Sequence, residues 1–120
     1  ILKKKIVICD RFIDSTIAYQ HYGMGINLDL INKLNKFILD GFGPSFTFLS
    51  IVNKINMKSR LSKRFSLNKY DKFNLSFYNK VQNGFLRISR SKRNYLIIDS
   101  NKNNIKKNSQ IIINKIKKLI

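Results

Sequence analysis

Between Asp10 and Gln20 the chain gathers side chains suited to holding a phosphorylated base: Asp10-Arg11-Phe12-Ile13-Asp14-Ser15-Thr16-Ile17-Ala18-Tyr19-Gln20. An arginine fork fits a phosphate through two parallel hydrogen bonds, and an adjacent carboxylate can aim it or face a metal ion. The hydroxyls of Ser15 and Thr16, the Tyr19 ring and the Gln20 amide add groups able to read the edge and flank of a base. Each residue also has a plain structural use. Asp10 and Arg11 can pair at a strand end, Thr16 can cap a helix, and Tyr19 can fill a core.

The elements needed to present these groups are legible on either side. Ile6 to Cys9 is a short β-branched apolar run of the kind expected for a strand buried on both faces. It stops at Asp10-Arg11, and ligands of open α/β sheets bind at the carboxyl ends of strands. Asp14, Ser15 and Thr16 offer N-capping oxygens for a helix from about Ser15 to His21, closed by Gly23 and Gly25. His21, the one histidine, reads as a surface residue beside that turn.

Downstream, Asn27 is placed to cap a helix running to about Asp40, with Leu30, Ile31, Leu34, Phe37 and Ile38 at the spacing of one buried stripe. Asp40-Gly41-Phe42-Gly43-Pro44 ends it, and Phe46 to Leu49 reads as a strand. Asn53 opens a helix to about Lys63, and residues 64–70 read as a polar loop. A longer helix from Asp71 to about Ser89 carries Tyr78, Val81, Phe85 and Ile88. Tyr95 to Asp99 is a further strand. Asn103 or Asn104 starts a last helix with Ile105, Ile112, Ile116 and Leu119 on one face. Strands alternating with helices predict a parallel α/β sheet in one small domain.

Composition bounds the partners. The chain has 24 Lys and Arg against six Asp and no Glu, a net charge of +18 that attracts polyanions. The abundance of Lys, Asn and Ile also fits an AT-rich coding bias, so the charge speaks to association rather than to fold. The lone Cys9 excludes an internal disulfide, and one Cys with one His makes no zinc site. No apolar run reaches the roughly 18 to 20 residues that span a bilayer, so a cytoplasmic protein without membrane partners is expected. The first residue is Ile rather than Met, which suggests a fragment.

Taken together, Asp10, Arg11, Phe12, Ser15, Thr16, Ala18, Tyr19 and Gln20, then Tyr22-Gly23-Met24-Gly25, closely resemble a segment of bacterial thymidylate kinases. That segment usually reads D-R-Y/F-x-x-S-S/T-x-A-Y-Q. The likeness continues through Phe77-Tyr78 to Leu86 and the strand Tyr95 to Asp99 with Ser100. Departures are Pro44-Ser45-Phe46-Thr47 for the usual Pro-Asp-Leu-Thr, Gln82 for Arg, and Phe85 for Tyr. A basic lid is similar at Arg60, Arg64 and Lys69, with Lys69 where arginine is usual and Asn68 where aspartate is usual.

The resemblance implies a partial P-loop nucleoside monophosphate kinase fold: a parallel sheet with helices on both faces, its central P-loop strand missing. Residues 1–120 would be the C-terminal portion, with the lid at about 60–70. The intact enzyme would move the γ-phosphoryl group of ATP to dTMP with Mg2+, and would be a homodimer. In it Arg11 would grip the dTMP phosphate, with Asp10 near the Mg2+, directly or through water. Ser15, Thr16 and Gln20 would contact the nucleotide, with Thr16 and Gln20 on the thymine edge. Tyr19 would pack on the sugar. Arg60, Arg64 and Lys69 would join Asp10 and Arg11 in catalysis.

The phosphate cradle of this class is a glycine-rich loop ending in Gly-Lys-Ser/Thr. Glycines 23, 25, 41, 43 and 84 form no such loop, so the chain by itself is expected to be inactive. Its sheet is expected in two pieces: Phe46 to Leu49 paired with Tyr95 to Ile98, and Ile6 to Cys9 unpaired or collapsed sideways. The competing class is a small basic nucleic-acid-binding module, supported by the charge and by Phe65, Tyr70 and Phe73. With no recognised binding signature, contact with nucleic acid is expected only nonspecifically, through net charge.

Overall fold

Asparagines set the helix starts. In the computed structural model, which describes residues 5–63 and 74–120, the side chains of Asn27, Asn53, Asn74 and Asn104 each accept the amide three residues on. Each therefore satisfies one of the orphan donors of a helical first turn. They open α2 (Leu28–Leu39), α3 (Lys54–Ser62), α4 (Leu75–Arg90) and α5 (Ile105–Lys117). Ahead of them lie a single turn, α1 (Ile13–Thr16), and a π-helical segment, Ile17–Gly23. The left-handed backbone of Asp40 and Gly41, with φ of 43° and 80°, stops α2.

Two strands, β1 (Thr47–Ile51) and β2 (Tyr95–Asp99), pair in parallel from Thr47 opposite Tyr95 to Ile51 opposite Asp99. The expected pairing of these two runs is therefore present, with β1 starting one residue later and extending to Ile51. Side chains lock the strand ends. The Val52 amide donates to Gln82 Oε1 at 3.0 Å, and the Asn53 amide to Asn101 Oδ1 at 2.8 Å. Asn101 in turn donates to Asp99, whose carboxyl is held below its ordinary range, first by the backbone amide of Asn101.

The core sits where α4 crosses the π segment. Ala18, fully buried, packs with Phe77, Val81 and Ile88, ringed by Tyr19, Tyr22, Tyr78 and Phe85. Two glycines permit the close crossing. A Cβ on Gly84 would stand 2.6 Å from the Tyr22 ring, and one on Gly23 2.6 Å from the Phe77 ring. The apolar stripe of α4 is thus where periodicity places it.

Three expectations are corrected. Ile6 to Cys9 is unpaired, as one of the two outcomes expected for a sheet in two pieces, but it is neither a regular strand nor buried; Ile8 is 83% exposed. A strand is made by its ladder, and among the described residues only β1 and β2 form one. The stripe of α2 forms on one face, but only Ile31 is buried, because nothing among the described residues covers Leu30, Leu34, Phe37 and Ile38. The helix placed at Ser15 to His21 begins at Ile13 and widens into a π-helix. Phe12 stands at its cap without a capping side-chain bond, so Asp14, Ser15 and Thr16 are not caps. Residues 64–70, the start of the helix at Asp71, and Phe65, Tyr70 and Phe73 lie outside the described residues.

Candidate functional site

The Asp10–Gln20 string is folded so that its chemistry converges. Arg11 adopts a left-handed backbone, φ 69°, at the bend that leads from the irregular Ile6–Cys9 segment into α1. For a side chain other than glycine that conformation is costly and invites a functional explanation. The guanidinium lies over the Tyr19 ring, 4.5 Å from its centroid, within cation–π range. Its Nε also points to Ser15 Oγ across a long 3.5 Å contact. Arg11, Ser15 and Tyr19 are thereby brought together, with Arg11 exposed and able to meet an anion.

Tyr19 is fixed from behind, its ring edge-on to Phe77 at 6.0 Å and to Phe85 at 6.4 Å between centroids. Gln20 lies one residue on in the π segment, its Oε1 buried without a hydrogen-bond partner. A buried amide oxygen left unpaired is unfavourable, and a donor on a bound base edge would relieve it. Thr16 is exposed at the end of α1. His21 is half-buried rather than plain surface, its Nδ1 2.8 Å from the Ile26 carbonyl, where it closes the turn.

Asp10 is exposed beside Arg11, and among the described residues no three His, Cys, Asp or Glu side chains gather to hold a metal. A lone carboxylate does not build a cage. It does fit Mg2+ held by one carboxylate, substrate phosphates and waters, which is that ion's usual habit.

Arg60 stands apart from the Asp10–Gln20 group. Its Nη2 donates to the Ser100 carbonyl at 2.9 Å, tying α3 to the end of β2. Arg64 and Lys69 lie outside the described residues. A cavity of about 340 Å³ near Phe42, Asn94 and Tyr95 is lined by none of the predicted site residues and is not part of this site.

Sequence reasoning missed one group altogether. Asp14, taken as a capping residue, is only 6% exposed and points inward, where its carboxylate accepts Lys92 Nζ at 2.8 Å and the Tyr95 hydroxyl. Partners 78 and 81 residues away leave no local pattern to read. Asp14 stands in the polar run Asp14-Ser15-Thr16, so nothing in its immediate neighbourhood marks it as inward-facing.

A thymidylate kinase family model matches residues 1–112. The thymidylate kinase of Wolbachia sp. subsp. Brugia malayi is 51% identical over 87 residues, 72% of this chain and 40% of that protein. The thymidylate kinase of Geobacillus sp. is 41% identical over 101 residues, 82% of this chain and 48% of that protein. The crystal structure of thymidylate kinase from Ehrlichia chaffeensis superposes with a TM-score of 0.62 at 35% identity, covering 98% of this chain and 52% of that one. The chain thus spans about half the length of the relatives it matches. Its helices and parallel strand pair form part of their α/β nucleotide kinase fold. On the match across residues 1–112 and the likeness in structure, the chain belongs to the thymidylate kinase family.

Proposed function

We propose that residues 1–120 are the C-terminal, dTMP-holding portion of a thymidylate kinase, with a lid at about 60–70. In intact form that enzyme transfers the γ-phosphoryl group of ATP to dTMP. The observation that carries this reading is the Arg11 guanidinium, held by the Tyr19 ring and Ser15 at a sharp turn yet open to solvent. Such an arrangement pre-positions a fork for a phosphate, and phosphoryl transfer is chiefly a matter of position and charge.

In this reading Arg11 binds the dTMP phosphate, whose oxygen attacks the γ-phosphorus as the bond to the ADP leaving group breaks. Ser15 steadies Arg11. Tyr19 packs against the deoxyribose, while Thr16 and Gln20 bond the thymine edge. Asp10 would hold Mg2+, which supplies charge neutralisation on the phosphates. Arg60, Arg64 and Lys69 supply positive charge from the lid. The Ser100 contact of Arg60 describes an arrangement from which it must be released to do so.

The intact protein is read as a cytoplasmic homodimer. The uncovered apolar face of α2 supports association, and among the described residues no helix is long and apolar enough to cross a membrane. Nucleic acid binds only nonspecifically, through the net charge.

Two measurements test the proposal. The 120-residue chain alone should form no dTDP from ATP and dTMP, and measurable turnover would overturn the claim that it is incomplete. In the full-length enzyme, Arg11→Ala should lower kcat/KM for dTMP about a hundredfold, the loss expected for a charge-assisted bidentate contact. A change below about fivefold removes Arg11 from the site.

A further inference from the structure

We propose that Asp14, Lys92 and Tyr95 form a clamp that positions the nucleotide-binding turn, an inference that rests on the thymidylate kinase reading above. The turn has little local support. It follows an exposed segment without a strand ladder, enters through a left-handed Arg11, and begins a four-residue helix with no capping side chain. Asp14 lies one residue before Ser15, two before Thr16 and three after Arg11. Whatever fixes Asp14 therefore fixes the direction in which those side chains leave the backbone.

Both partners of Asp14 come from a rigid place. Tyr95 is the first residue of β2 and sits in the ladder opposite Thr47, whose amide is bonded to the Asn94 carbonyl at 2.8 Å. Lys92 lies in the short connection from α4 to β2, and its ammonium also lies 5.8 Å from the Tyr95 ring centroid. The two donors approach different oxygens of one carboxylate, so they set its rotation as well as its position. A buried carboxylate with a cationic and a phenolic donor is a strong, directional tether, and losing one partner leaves the acid under-satisfied. In keeping with that geometry, the Tyr95 hydroxyl stays protonated far above its ordinary range, through burial first and Asp14 second.

The three are positioning residues. None is placed against the nucleotide; they act through Arg11, Ser15, Thr16 and the start of the π segment. Substrate-side groups displaced by about 1 Å lose much of their effect, so a loosened clamp should be felt at dTMP and not at ATP.

The test uses the full-length enzyme with Tyr95→Phe, Lys92→Met, both together, and Lys92→Arg. Either single change should raise KM for dTMP about fivefold while KM for ATP stays within about twofold. The double variant should fall well short of the product of the two effects, because the residues share one partner. Lys92→Arg should recover most of the loss. A dTMP KM unchanged within about twofold, even with a lowered thermal midpoint, would reduce the network to a stabilising contact and overturn the clamp. Equal shifts for both substrates would overturn it too. A wild-type enzyme that does not phosphorylate dTMP would overturn the kinase reading and the clamp with it, whereas an active wild type matched by Tyr95→Phe overturns the clamp alone.

Discussion

Helices α2 and α4 carry similar apolar stripes and meet opposite fates. On α4, Phe77 is 8% exposed and packs with Ala18, Val81 and Ile88; on α2, Phe37 is 88% exposed and Leu30, Leu34 and Ile38 stand open beside it. Both helices begin at an asparagine cap and both are amphipathic. The difference lies in what faces them. The α4 stripe packs along its length on the π segment from the same chain, whereas of the α2 stripe only Ile31 is buried among the described residues. Amphipathicity states that a face wants cover; it does not say that this polypeptide supplies it.

The largest expected contrast follows directly. Phe77→Ala should lower the stability of the chain by about 3 to 5 kcal/mol in urea unfolding, the usual cost of emptying a buried aromatic site. Phe37→Ala should change it by less than about 0.5 kcal/mol, as surface substitutions do. If Phe37→Ala proves as damaging as Phe77→Ala, the α2 face is covered in solution and the contrast breaks. Sedimentation of the same samples would show whether a second copy does the covering.

A smaller effect probes the closeness of the α4 crossing. Gly84→Ala places a methyl 2.6 Å from the Tyr22 ring, whereas Gly43→Ala meets open space. The first should cost about 1 to 3 kcal/mol through overpacking, and the second should be neutral or slightly stabilising. Equal midpoints for the two variants would show that the crossing is looser than described.

The third test concerns pH and is silent near neutrality. Burial and the Asp14 carboxylate raise the folded-state pKa of Tyr95 above the ordinary value of 10.0. The hydroxyl therefore favours the fold fully below about pH 10 and loses that contribution as pH rises further, since the unfolded chain releases the proton first. Unfolding midpoints followed from pH 9 to about pH 11 should fall less steeply in Tyr95→Phe than in the parent chain. Parallel curves would mean that the Tyr95–Asp14 bond contributes nothing to this dependence.

Much of this was legible from local chemistry. Asn27 and Asn53 mark their helices, Asp40-Gly41 ends α2, and the β-branched run at Tyr95 to Asp99 is a strand paired with the run after Phe46. The Asp10–Gln20 string was legible as a kit, because residue type and spacing are local properties. What failed depends on distant partners. Ile6 to Cys9 was expected to be buried on both faces and is exposed, its lack of a partner strand being one expected outcome, and Asp14 is an acid whose role is set by Lys92 and Tyr95. Arg60 also has a partner no local pattern gives, its Nη2 donating to the Ser100 carbonyl.

The π-helical winding of Ile17–Gly23 carries one further consequence. Its closing bond runs from the Met24 amide to the Tyr19 carbonyl, five residues back, at 3.0 Å. Ala18 and Gly23, also five apart, both turn toward α4, one inside the core and the other against Phe77. An ordinary helix advances about 100° per residue and would swing those two positions apart by about 140°. The segment therefore behaves as a helix holding one surplus residue, absorbed as a bulge so that small side chains keep meeting the same neighbour. A homologue shorter by one residue between Ala18 and Gly23 would set those two positions four apart, about 40° round an ordinary helix, and could keep the same contacts with α4 without the bulge.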